Sequence, residues 1–125
     1  QQLDQLVQLT DEKLGQAAPT AGVLNLDTVG YWAKPGIYWL GPRTWPDALA
    51  SLRKRLEQAG TTLGAKRDRN PFQPHVTLYR RCEQPPPAPT RAPGLQCEYR
   101  HFALFESVQG KNSVHYQALE AWDMA

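Results

Sequence analysis

The stretch Pro74-His75-Val76-Thr77-Leu78-Tyr79-Arg80 brings a histidine, a hydroxyl and a guanidinium close together, with a second arginine, Arg81, directly after. An imidazole titrates near neutral pH and takes or gives a proton; a threonine two residues on, on the same face of a strand, holds a substrate oxygen or orients the ring. Period-2 alternation sends His75, Thr77 and Tyr79 to one face and Val76 and Leu78 to the other, the pattern of a strand with one wet and one core face. Arg80 then falls opposite His75, so for it to serve the same site the strand must end, twist or bulge near Tyr79. A single histidine and threonine at this spacing also occur in strands that do no chemistry. His101 and His115 carry no such motif and are expected to be structural or solvent-facing. The three histidines show no short ligand spacing and Cys82 and Cys97 form no C-x-x-C pair, so neither a metal nor a cofactor is expected.

The elements that must position this stretch follow from periodicity. Residues 1 to about 16 form an amphipathic helix, with Leu3, Leu6, Val7 and Leu14 near helical spacing. Val23 to Trp32 alternates as one strand; Lys34-Pro35-Gly36 turns; Gly36 to Leu40, apolar on both faces, returns as a short central strand paired in a hairpin. Thr44-Trp45-Pro46-Asp47 predicts a helix start capped by Thr44, and the helix runs to about Ala59 with Leu49, Leu52 and Leu56 inward and Gly60 stopping it. Its basic residues Arg53, Lys54 and Arg55 read as a solvated face or, alternatively, an RNA platform. A basic surface loop then delivers the chain to His75. Pro85-Pro86-Pro87-Ala88-Pro89 is read as a stiff connection between two strands of one sheet, with docking of a proline-binding partner as the alternative. Leu95 to Val108 is strand, with Phe102, Leu104 and Val108 on one face. Gln109-Gly110-Lys111-Asn112 turns, and Ser113 to Leu119 returns with Val114, Tyr116 and Ala118 on its apolar side. Helix, hairpin, helix, motif strand and terminal hairpin make an α+β fold with mainly antiparallel sheets and flanking helices.

With 125 residues, 41% hydrophobic and 21% charged, the chain is expected to be a single domain, 1–125, or a large part of one, of ordinary globular composition. A net charge of +2 does not by itself argue for nucleic acid, but Lys66, Arg67, Arg69, Arg80 and Arg81 gather around the motif. Two cysteines are too few for a disulfide scaffold, and nothing resembles a secretory or membrane-spanning segment, so a cytoplasmic setting is expected. The chain begins with Gln1, not methionine, so translation is expected to have begun upstream.

The run Asn70-Pro71-Phe72-Gln73-Pro74-His75-Val76-Thr77-Leu78-Tyr79-Arg80 resembles the second H-x-T motif of the two-histidine phosphoesterases, and in particular of the bacterial RNA 2',3'-cyclic phosphodiesterases, long called 2'-5' RNA ligases. The region from Gly30-Tyr31-Trp32 to Gly36-Ile37-Tyr38-Trp39-Leu40-Gly41, the run Leu104-Phe105-Glu106-Ser107 and the closing Tyr116 to Trp122 are similar to the same family, in the same order. The resemblance implies a two-lobed fold, each lobe giving one H-x-[ST] strand to a cleft, and a chain that lacks the N-terminal strand with the first motif. It implies His75 as the base toward water, Thr77 on a phosphate oxygen, Arg80 on phosphate, and Phe72 and Tyr79 beside the substrate.

That chemistry is metal-free: one imidazole takes the proton of water, a second protonates the departing sugar oxygen, and threonines and a cation hold the phosphate oxygens. The implied substrate is an RNA or nucleotide with a cyclic phosphate end, opened to a 2'-phosphate, with 2'-5' ligation as a further activity. Only one of the two histidines is present, so a missing N-terminal segment or a second chain is needed to complete the site, and the 125 residues alone are expected to be inactive. The alternative is a non-catalytic module that binds RNA ends or phosphate. Trp32, Trp39, Trp45 and Trp122 are read as core and rim, with stacking of one on a nucleobase as the alternative.

Overall fold

In the computed structural model, which describes residues 2–16, 18–66 and 70–125, the elements are α1 (Gln2–Gln16), β1 (Gly22–Leu26), β2 (Thr28–Trp32), β3 (Ile37–Gly41), α2 (Asp47–Thr62), β4 (Val76–Tyr79), β5 (Leu95–Tyr99), β6 (His101–Gln109) and β7 (Val114–Asp123). All strand pairs are antiparallel, in three groups: β2-β3-β4, β1 with β5, and the hairpin β6-β7. The α+β class holds.

Three expected connections are corrected. The alternation from Val23 to Trp32 is broken at Asp27, which divides it into β1 and β2 in different sheets. Asp27 stays bound at the break: its N–H donates to the Gly41 carbonyl (3.1 Å), and its carboxylate accepts from the Arg43 N–H (2.9 Å). A residue whose side chain bonds nearby backbone competes with the ladder and turns the chain. The Leu95–Val108 strand likewise divides at Arg100, whose carbonyl accepts from the Met124 N–H. Consequently the proline-rich segment joins β4 to β5, strands of two different sheets rather than of one.

The bounds of α2 differ too. Pro46, extended at φ −60° and ψ 144°, stands at the N-cap with no side-chain cap, and its carbonyl accepts from the Leu49 N–H, so Thr44 does not cap. At the other end the helix passes through Gly60. The Thr61 and Thr62 hydroxyls donate to the Gln58 carbonyl, and Gly64, at φ +95°, supplies the left-handed residue.

Burial falls on Leu26 (β1), Trp39 and Leu40 (β3), and Leu52 and Ala59 (α2). Apolar on both faces and flanked by β2 and β4, β3 is the central strand its sequence predicts. β4 is not the half-buried strand expected: as the edge of its sheet it leaves Val76 50% and Leu78 43% exposed. Helix α1 is tied to β7 by the Trp122 indole, which donates to Asp11 (2.7 Å). The Leu3 side chain of α1 remains exposed, and the buried residue of the helix is Thr10, whose hydroxyl donates to the Leu6 carbonyl. β6 and β7 pair with a register shift at Leu104/Phe105, and Phe105, Val114 and Tyr116 are exposed, as is every β7 residue but Trp122. The expected apolar side of β7 is therefore not a core face.

Among the described residues no helix is long and apolar enough to cross a membrane.

Candidate active site

His75 stands one residue before β4, at the end of a segment held down by Gln73. The Gln73 amide nitrogen donates to the carbonyls of Pro42 (3.0 Å) and Pro74 (2.9 Å). The Gln73 carbonyl lies 2.8 Å from His75 Nδ1. A carbonyl only accepts, so Nδ1 carries the proton and Nε2 of the exposed ring is left for chemistry.

The ring rests on tryptophans. Trp32 meets it edgewise, centroids 4.7 Å apart at 82°; Trp39 lies 6.4 Å away and tilts against Trp32 at 5.3 Å. This layer needs Gly30: the Trp39 indole lies where a Cβ on Gly30 would be, a close approach of ring to backbone that any side chain would block.

The register of β3 and β4 decides which side chains join His75. Thr77 pairs with Trp39 and Tyr79 with Tyr38, so Leu78 is an extra residue and β4 bulges there. Paired residues of an antiparallel ladder share a face. Thr77 therefore lies with Trp39 on the His75 side, and Tyr79 lies with Tyr38 on the other, their rings stacked 6.3 Å apart. The expectation that Tyr79 shares the face of His75 is corrected by this bulge. The Arg80 guanidinium donates to the Tyr116 hydroxyl of β7 (3.2 Å). Arg81 follows at φ 58°, and the Cys82 backbone closes the turn, its N–H donating to the Gly36 carbonyl and its carbonyl accepting from the Tyr31 hydroxyl.

Beside His75 opens a cavity of about 1060 Å³ between the β2-β3 turn, α2 and the 70–75 segment. Phe72 lines it, with Trp45 edgewise at 5.7 Å and the Arg53 guanidinium 5.4 Å from its ring centre. Arg53 also pairs with Glu57 (3.1 Å), so this one member of the basic helix face turns to the site loop. Thr77 and Arg80 lie outside the cavity lining. Lys66 is exposed, and Arg67 and Arg69 lie outside the described residues. His101 and His115, both exposed, belong to β6 and β7. No three His, Cys, Asp or Glu side chains come together among the described residues.

Sequence reasoning did not single out Tyr116 or the His75 side of Trp32. Nothing local marks them: Tyr116 meets Arg80 across 36 positions, and Trp32 reaches His75 only through the pairing of three strands.

The sequence model described as LigT like Phosphoesterase matches residues 40–116. An RNA 2',3'-cyclic phosphodiesterase of Geobacillus stearothermophilus is 36% identical over 67 residues, 53% of this chain and 21% of that protein, so the match spans about a fifth of the relative's length. The crystal structure of E. coli LigT complexed with 3'-AMP superposes with a TM-score of 0.84 at 26% identity, covering 98% of this chain and 68% of that one. The same protein complexed with NADP+ gives 0.81 at 27% identity, covering 98% and 67%.

Proposed function

We propose that this chain, which belongs to the LigT like Phosphoesterase family, supplies one of two imidazoles that open an RNA 2',3'-cyclic phosphate end to a 2'-phosphate without metal. The observation that carries the reading is the His75 ring itself: Nδ1 held on the Gln73 carbonyl, Nε2 exposed at the mouth of an aromatic cavity. His75 takes the proton of the attacking water. Thr77, on the same face, binds a phosphate oxygen, and Arg80, steadied by Tyr116, holds the charge that builds on the phosphate. Phe72 meets the rest of the substrate, whereas Tyr79, turned to Tyr38, takes no part. Ligation of 2'-5' ends is the same step with a 5'-hydroxyl in place of water: it attacks the cyclic phosphate, the bond from phosphorus to the 3' oxygen breaks, and that oxygen takes a proton.

One imidazole does not serve as base and acid on opposite sides of phosphorus, and neither His101 nor His115 carries the motif. The second histidine comes from residues outside this chain or from another chain, and the 125 residues alone bind but do not turn over. That single motif histidine also favours a second reading, a module that binds RNA ends without hydrolysis. The free thiols of Cys82 and Cys97 suit the reducing cytoplasm in which we place the protein.

The test is hydrolysis of a nucleoside 2',3'-cyclic phosphate by the intact protein in excess chelator. Undiminished turnover is expected; loss restored by a divalent ion sinks the metal-free route, and no hydrolysis under any condition favours the binding module.

Arg80→Lys keeps the charge but loses the planar fork that grips two oxygens. It is expected to lower kcat/KM by about tenfold to a hundredfold, the range of a hydrogen bond to a charged group. An unchanged value moves the phosphate contact to Arg81 or Lys66.

A further inference from the structure

We propose that the Gln73 side chain is a positioning residue for His75, a clamp between two prolines that sets which ring nitrogen carries the proton. The inference rests on the function proposed above for what the other nitrogen, Nε2, does; the clamp itself stands on geometry.

The clamp makes good a gap in the backbone. β3 and β4 pair as far as Leu40 with Val76. That register, carried on, sets Pro42 opposite Pro74, and neither proline has an N–H to give the other. Pro42 is fully buried, and a carbonyl left unmatched in such surroundings is costly. A primary amide has two N–H groups. That of Gln73 reaches both carbonyls, Pro42 at 3.0 Å and Pro74 at 2.9 Å. Carbonyls only accept, so the amide nitrogen and not its oxygen belongs between them. Gly41 leaves the room: a Cβ there would lie 2.5 Å from the Pro74 carbonyl oxygen and 3.2 Å from the Gln73 amide nitrogen.

The clamp acts on the imidazole through the main chain. With Gln73 and Pro74 tied to the end of β3, the Gln73 carbonyl is presented to His75 Nδ1 at 2.8 Å. A free histidine prefers the proton on Nε2; an acceptor at Nδ1 draws it there and bares the Nε2 lone pair. The ring is exposed, and no other hydrogen bond holds it among the described residues. Its tautomer and its aim thus depend on one carbonyl, and that carbonyl on the Gln73 amide.

The experiment labels the histidine ring nitrogens of the intact protein isotopically and reads the tautomer of neutral His75 by NMR, its signals being those that His75→Ala removes. Turnover of a nucleoside 2',3'-cyclic phosphate is measured beside it. Gln73→Glu keeps the shape of the side chain and loses both donors. Gln73→Met keeps the bulk without a charge, and circular dichroism checks that each variant folds. The native protein is expected to hold the Nδ1–H form and both variants to move His75 toward the Nε2–H form. With that shift kcat is expected to fall by up to about a hundredfold, the cost of a slight misplacement at a reacting centre, while KM changes by less than about threefold. A folded variant that keeps the Nδ1–H form overturns the inference whether or not its kcat falls, and so does a shifted tautomer with unchanged kcat. If the native protein hydrolyses no cyclic phosphate, the proposed function fails, and the tautomer shift still decides whether Gln73 positions His75.

Discussion

His75→Ala in the intact protein is expected to lower turnover on a 2',3'-cyclic phosphate by about two to four powers of ten, the span that a positioned general acid or base supplies. The side chain is exposed and its one hydrogen bond runs to the Gln73 carbonyl, which the variant leaves facing solvent. The fold therefore loses little: surface substitutions of this kind stay within about 0.5 kcal/mol, so the melting temperature is expected to move by only a few degrees. The two readouts separate chemistry from stability. Turnover that survives at more than a tenth of the original rate shows that His75 is not the base, and a collapsed melt with lost activity shows that it is a structural residue instead.

Trp39→Ala is expected to be the most damaging change to stability near the site. The indole is 9% exposed at the centre of the three-stranded sheet, beneath Trp32 and against the bare backbone of Gly30. Truncating a buried tryptophan costs about 3–5 kcal/mol, against a total of about 5–15 kcal/mol for an ordinary domain. The Trp39 N–H is buried with no partner among the described residues, and removing an unpaired donor returns about 1–3 kcal/mol, which centres the expected net loss on about 2 kcal/mol within a span of about 0–4 kcal/mol. Trp39→Phe keeps most of the ring and drops the unpaired donor, so it is expected to cost less than half as much. Denaturant midpoints at unchanged slope measure both. Equal losses for alanine and phenylalanine would show that the indole's own shape, and not its bulk, supports the sheet. Because Trp32 leans on Trp39, the alanine variant is also expected to let the imidazole wander, with a fall in turnover beyond the loss of folded protein.

Much of this site is local chemistry and therefore legible in the order of residues. The types and spacing of His75, Thr77 and Arg80 mark a candidate site, whose reaction class came only through the family resemblance, and period-2 and period-3.6 patterns place the helices, the β2-β3 hairpin and the terminal hairpin, because backbone periodicity is a property of the chain itself. Arg80 was legible only as a conflict: alternation set it against His75, and the bulge at Leu78 breaks that alternation two residues before Arg80. Errors cluster where a side chain competes with the backbone ladder. Asp27 divides one apparent strand between two sheets, and Pro46 starts α2 where Thr44 had the better capping chemistry.

The sequence by itself determined the α+β class and marked His75, Thr77 and Arg80 as candidates, through signals that lie within a few residues of each other. The tertiary structure alone decided the rest: that Trp32 and Trp39 form the bed of His75 through the space left by Gly30, that Tyr79 turns away while Thr77 stays, that Tyr116 reaches Arg80 from another sheet, and that β4 is an exposed edge. Each of these depends on strand register and sheet membership. Shifting a strand by a single residue exchanges every side chain between its faces, and register is set by partners dozens of positions away, which no local pattern records.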